Sequence, residues 1–317
     1  MFKWASFAVL VVGTAVLALV FRAMMPMPAP ASSASNRIQQ GTRVVMLGTG
    51  NPNADPERSG PAVAVVAGTR SYLIDAGPGV VRRASAAAAR RAIPALLAER
   101  LQVVFLTHLH SDHTVGLPDL MLSPWTLGRT TPLLVVGPPG TRHMVEKLRE
   151  AYAEDVRVRL DGLEPANRTG HEVTVREVAP GEVYRDANVR VTALQVPHGS
   201  WKSALAYRFD TADRSVVVSG DTGPSREIAA FCGGCDVLVH EVYSIDRFAT
   251  RPPEWRKYHA AFHTSTRELA GIATAARPKL LILYHQLFWG ASDADLEAEI
   301  RRGYTGAVSS AKDLGVY

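Results

Sequence analysis

The stretch Thr107-His108-Leu109-His110-Ser111-Asp112-His113 decides how this chain is read. It places four residues with metal-capable side chains within six positions, directly after the apolar run Val103-Val104-Phe105-Leu106. Alternation along an extended segment puts His108 and His110 on one side, where both imidazoles reach one ion. A turn at Ser111 then lets Asp112 and His113 face a second ion close by. Imidazole and carboxylate are suitable zinc ligands and leave coordination positions for water. Histidines that merely cap a strand do not need this spacing.

Working outward, three more metal-capable residues stand at the ends of apolar runs. His198 follows Val196-Pro197, Asp221 follows Ser219-Gly220, and His285 follows Leu281-Ile282-Leu283-Tyr284. Each sits at the C-terminal end of a predicted strand, where loops build a site on a rigid scaffold. Taken singly, each reads as structural. Their shared placement beside the cluster points to a metal site.

The rest of the chain supplies the scaffold. Patterning predicts strands at residues 43–47, 62–67, 71–75, 101–107, 133–136, 173–178, 189–196, 205–210, 215–219, 237–240 and 280–284. Helical periodicity covers residues 80–92, 141–153, 265–276 and 293–302, the third opening on a capping box of Ser265 with Glu268. Two groups of strands, each followed by helices, suggest two packed sheets with helices outside, a four-layer αββα sandwich of the α/β class, which the ligand pattern and not composition selects over other α/β folds. No linker or repeat interrupts residues 40–317, which read as one catalytic domain. Residues 1–39 read as a signal peptide or membrane anchor with a Pro/Ala/Ser-rich linker, because Lys3 precedes the apolar run 4–21. On that reading the catalytic part lies outside the cytoplasm, periplasmic, secreted or anchored, with membrane contact through the N-terminal segment.

The 317 residues are 47% hydrophobic, enough for a sizeable core. A formal net charge of +5 comes mainly from scattered arginines, which read first as a solvated surface and only second as a weak attraction for anions. The two cysteines, Cys232 and Cys235 in Cys-Gly-Gly-Cys, read either as a small structural disulfide or as two buried thiols.

With these residues in view, the chain resembles the metallo-β-lactamase superfamily, in particular its ribonuclease Z-like branch, which also includes a type of zinc arylsulfatase. The resemblance covers Gly48-Thr49-Gly50-Asn51-Pro52, Asp75-Ala76-Gly77-Pro78-Gly79, the histidine cluster, Gly220-Asp221-Thr222 and His240-Glu241. It implies two zinc ions per chain, other divalent metals being possible. His108, His110 and His198 would hold the first, and Asp112, His113 and His285 the second, with Asp221 bridging. Asp75 would orient the ligand loop. Asp112 would also steer the attacking water. His263, in His263-Thr264-Ser265-Thr266, would act as the acid, with Glu241 holding its ring in one tautomer. The resemblance also suggests a homodimer.

Trp201, Tyr243, Tyr258, Phe262, Phe288 and Trp289 are expected near the ligands, either walling a pocket or packing loops. His143, His171, His240 and His259 read as structural. For substrate, the sequence reading favours a small ester cleaved by arylsulfatase-like or phosphodiesterase-like chemistry and argues against nucleic acid. Four grounds carry this: the export segment, no protruding arm in 141–182, no basic tract interleaved with aromatics, and two motif departures. Those are Val242-Tyr243 in place of Ala-Thr and Tyr284 and Gln286 flanking His285 in place of Thr and Phe. The alternatives are a ribonuclease Z-type endoribonuclease acting on transfer RNA 3′ ends, and a metal-binding module without activity.

Overall fold

Short runs rich in β-branched residues and leucine, punctuated by Gly, Pro and Asp, fold into strands at nearly every predicted place. The computed structural model describes residues 41–317, and the predicted targeting run 4–21 and the boundary at residue 39 lie outside the described residues.

The first sheet holds β1 (Arg43–Gly48), β2 (Ala62–Ala67), β3 (Arg70–Ile74), β4 (Val103–Phe105), β5 (Leu133–Gly137) and β6 (Val173–Glu177), side by side in chain order. The second sheet holds β7 (Gly181–Arg185), β8 (Val189–His198), β9 (Trp201–Thr211) and β10 (Ser215–Val218). It continues through β11 (Val237–Tyr243), β12 (Leu280–Leu287) and β13 (Val308–Ser310), also in chain order. Each sheet begins antiparallel and finishes parallel: the parallel pairs run from β3 to β6 and from β10 to β13. Parallel strands deliver their C-terminal ends to one side of a sheet, which is where loops gather into a site.

Strand alternation sorts the core into layers. On β1, Val44 and Met46 pack with Phe105, Tyr207, Phe209 and Val216, between the two sheets. Val45 and Leu47 point the other way, against Ala84 and Ala87 of the helix Val80–Arg90. On the far side, Val217, Leu238 and Leu281 pack under Leu269 and Ala273 of the helix Thr266–Ala276 and Leu296 of the helix Asp293–Arg301. Three apolar layers between helix, sheet, sheet and helix make the four-layer sandwich. The capping box forms as expected, Ser265 Oγ accepting from Glu268 N at 3.2 Å and Glu268 Oε2 from Ser265 N at 3.0 Å.

Several elements were not predicted, among them two strands and two helices of ten residues. β7 and β13 are short edge strands. The helix Leu117–Thr126 carries Pro124 inside it, and the helix Pro253–Phe262 starts on a double proline. Residues 141–182 form the helices Thr141–Ala151 and Ala153–Asp161, a loop and β6. Cys232 and Cys235 form a disulfide at the end of the helix Glu227–Cys232.

Candidate metal centre

Most donors sit at or just beyond the ends of parallel strands, and His198 at the end of the antiparallel β8. His108 lies three residues beyond β4 and Asp221 three beyond β10, while His285 belongs to the last turn of β12 and His198 closes β8. Asp75 (φ 62) and His285 (φ 48) both adopt the left-handed backbone region that non-glycine residues rarely occupy. Such strain persists only where surrounding structure over-determines it, and it collects at functional sites. Gly220 (φ 62) brings Asp221 in beside the cluster: a Cβ there would stand 2.7 Å from Thr107 Cβ. Gly220→Ala is therefore expected to cost about 2–4 kcal/mol, the sum of a left-handed side chain and overpacking. Thermal unfolding alongside metal analysis would register it as a lower Tm and a weaker hold on metal.

Asp75 organises the loop from behind. Its Oδ1 accepts from Thr107 N at 2.8 Å, and its Oδ2 lies 2.8 Å from His113 Nδ1. That contact commits His113 Nδ1 and aims Nε2 inward, where it is buried with no hydrogen-bond partner. His108 Nδ1 donates to Thr107 Oγ1 at 3.0 Å, and His198 Nδ1 donates to the carbonyl of Phe262 at 2.8 Å. Both rings therefore turn Nε2 lone pairs inward, 3.0 and 3.1 Å from His110 Nδ1. Trp201 Nε1 donates to His110 Nε2 at 2.7 Å. A cation on His110 Nδ1 needs the ring proton at Nε2 and so displaces this indole contact.

His108, His110, His198 and Asp221 form one group of converging donors, and Asp112, His113 and His285 a second. Asp221 reaches toward both: its Oδ1 is 3.3 Å from His113 Nε2, and its Oδ2 is 3.4 Å from His285 Nε2 and 4.0 Å from His108 Nε2. Asp112 Oδ2 lies 3.2 Å from His285 Nε2. The structure thus brings all seven sequence-predicted ligand candidates together.

The electrostatics of the cluster suit a cation. Burial works to raise the Asp221 carboxyl, but His285 and His113 outweigh it and hold it well below the usual range. Burial works to lower His113, yet Asp221 and Asp75 pull it well above an ordinary imidazole. Burial lowers His198 to about 4. His113 Nε2 and Asp221 Oδ1 are buried polar atoms without partners, an expensive arrangement unless something charged satisfies them. Inward imidazole nitrogens with two carboxylates are the donor set of a divalent metal, usually zinc.

Beside the second group, His263 Nδ1 stands 3.3 Å from Glu241 Oε2 and 4.0 Å from Asp221 Oδ2. Glu241 is buried in β11, and its Oε1 accepts from Thr264 N at 2.7 Å. Burial, then the charge of Asp221, pushes Glu241 well above the carboxylate range. Burial lowers His263 to about 4.

The two motif departures have packing causes. Gln286 is buried, its amide donating to the carbonyls of Leu283 and Ala311 at 2.9 Å, while its Oε1 accepts from Arg58 at 3.1 Å. It ties down the strand end that carries His285. Tyr243 is buried in a stack with Phe248, ring centres 5.1 Å apart. Each departure thus has a packing role that needs no change of substrate to account for it. Sequence reading also missed residues 251–262, Arg-Pro-Pro-Glu-Trp-Arg-Lys-Tyr-His-Ala-Ala-Phe. This segment interleaves basic and aromatic side chains, the signal taken to be absent, and its helix runs up to the site through Phe262.

A family model described as Beta-lactamase superfamily domain matches residues 70–286. Ribonuclease Z of Mycobacterium bovis (strain BCG / Pasteur 1173P2) is 32% identical over 245 residues, covering 76% of this chain and 85% of that protein. Among solved structures, the metallo-β-lactamase fold protein YhfI from Bacillus subtilis matches with a TM-score of 0.68 at 20% identity, over 87% of this chain and 98% of that one. The short form of human tRNase Z matches with a TM-score of 0.65 at 21% identity, over 87% of this chain and 98% of that one.

These relatives correct three expectations. The small-ester, arylsulfatase-like substrate gives way, because the curated relatives over most of the domain are ribonucleases. The case against nucleic acid falls with it, its motif and composition arguments having the packing and helical explanations just given. The exported or membrane-anchored location is overturned as well, since the likeness is to enzymes of RNA. Its support, the run 4–21, lies outside the described residues, among which no helix is long and apolar enough to cross a membrane. The chain is a metal-dependent hydrolase acting on ester bonds, and it belongs to the metallo-β-lactamase superfamily, in the ribonuclease Z-like branch.

Proposed function

We propose that this protein is a binuclear zinc phosphodiesterase of the ribonuclease Z type that cleaves transfer RNA precursors at their 3′ ends. One observation carries the reading: the buried double cluster joined through Asp221, with Glu241 and His263 beside it, lies in a chain 32% identical to ribonuclease Z. His108, His110 and His198 would hold one zinc, Asp112, His113 and His285 the other, with Asp221 between them. Bound there, the metals would lower the pKa of water and polarise a phosphoryl oxygen.

The chain's own groups handle orientation and protons. Asp112 is the more exposed of the two site carboxylates, its side chain 11% accessible against 3% for Asp221. That greater access supports Asp112 as the group that would orient the attacking water and accept its proton. Asp75 keeps His113 aimed through the 2.8 Å contact. Departure of the leaving oxygen calls for a donor. Glu241 Oε2, 3.3 Å from His263 Nδ1, would accept the ring proton there and hold the imidazole in one orientation. A protonated His263 would give its Nε2 proton to the leaving oxygen and be recharged by the proton that the attacking water releases.

The full chain with zinc should shorten a precursor transfer RNA at its 3′ end and leave aryl sulfates intact. Hydrolysis of aryl sulfates with the precursor untouched would sink the proposal.

A further inference from the structure

We infer that the helix Pro253–Phe262 is a stacking platform for single-stranded RNA, receiving the unpaired nucleotides 3′ of the scissile phosphate; this rests on the proposed function. Trp255, Tyr258 and Phe262 follow the i, i+3, i+7 spacing that lines one helix face. Their rings form a path outward from the metal donors. Phe262 lies 5.0 Å from the His198 ring and 6.3 Å from that of His110, nearly parallel to the latter at 22°. It is seated over Gly199, where any Cβ would collide with it. Tyr258 stacks on Phe262 at 4.2 Å and 21°, and Trp255 meets Tyr258 edge-on at 5.6 Å.

An aromatic stripe on a helix ordinarily faces a core. This one does not: Trp255 is 48% exposed, and Tyr258 and Phe262 are half-buried. Arg256 and Lys257 fall between the ring positions in sequence and so lie on the flanks of the helix, off the aromatic face, and Glu254 is the helix's one acidic residue. Rings open along one face, leading from a phosphodiester-cleaving centre, fit a strand with bases to stack, while Arg256 and Lys257 on the flanks of the same helix supply charge for its phosphates. Base–aromatic stacking tolerates any sequence because every base has a π-face, which suits trailers of varied sequence.

The test has a binding arm and a cleavage arm. In the first, the full chain is titrated into fluorescein-labelled oligouridylate. Trp255→Ala should weaken binding about tenfold, and Trp255→Phe should restore most of it. Arg256→Ala with Lys257→Ala should flatten the salt dependence by about 0.7 in slope per charge removed. In the second arm, Trp255→Ala should raise KM about tenfold for a precursor with a long unpaired trailer. For one with a single trailer nucleotide, KM should stay at the wild-type value. Unchanged oligouridylate affinity, or a KM effect indifferent to trailer length, overturns the platform. Failure of the wild type to cut any precursor would overturn the proposed function alone, and the binding arm would still decide the platform.

Discussion

Asp221→Ala should strip both metals from the protein and abolish phosphodiester hydrolysis, whereas His285→Ala should strip only the second. Asp221 alone reaches toward donors of both groups, within 3.3 Å of His113, 3.4 Å of His285 and 4.0 Å of His108. Losing a residue that only hydrogen-bonds a ligand typically weakens metal binding about 10–100-fold, and losing a shared donor should exceed that. The substitution also leaves His113 and His285 without the charge that draws cations to them. Elemental analysis after gel filtration should give two metals per wild-type chain, about one for His285→Ala and none for Asp221→Ala. A wild type saturating at one metal would remove the binuclear reading. Asp221→Ala retaining both would remove the bridge. A metal that binds only the native state stabilises it by mass action. Chelation should therefore lower the wild-type Tm markedly and that of Asp221→Ala hardly at all.

His263→Ala should keep its metals and its fold yet lose about 10²–10⁴-fold in rate on substrates with poor leaving groups, the usual worth of general acid help. The ribose oxygen of RNA is such a group. A nitrophenolate leaves as a stable anion, so hydrolysis of a nitrophenyl phosphodiester should fall far less. Glu241→Gln should reproduce the pattern more weakly, since an amide oxygen still reaches His263 Nδ1 but brings no charge to orient and polarise the ring. An equal loss on both substrates with metal intact would mean that His263 holds substrate or loop. Loss of metal would make it a ligand, which its Nδ1, 4.0 Å from Asp221 Oδ2, is close enough to permit.

Much of the scaffold was legible because it is locally encoded. Alternation and β-branched runs mark the central strands, and Ser265 with Glu268 marks a helix start, through interactions spanning only a few residues. β7 and β13 escaped because edge strands of a few residues carry little apolar pattern of their own and form only where a neighbour offers its open edge. The helix Pro253–Phe262 escaped for a related reason: its double-proline start and mixed faces give a weak period, and it is positioned by packing of Phe262 over Gly199. The substrate expectation failed with that helix, because a basic and aromatic segment read as loop shows no common face.

By itself, the sequence determined the fold class and the set of metal-capable residues, since ligand types at strand ends follow from local spacing. Only the tertiary structure decided which of them meet and what stands behind them. Asp221 lies near both donor groups, Glu241 lies 3.3 Å from His263, and Gln286 braces the strand end of His285. Such contacts join residues far apart in the chain, as Asp112 and His285 are at 173 positions and Arg58 and Gln286 at 228. They depend on how two sheets pack face to face through side-chain complementarity across the layer, a property that no window of neighbouring residues contains.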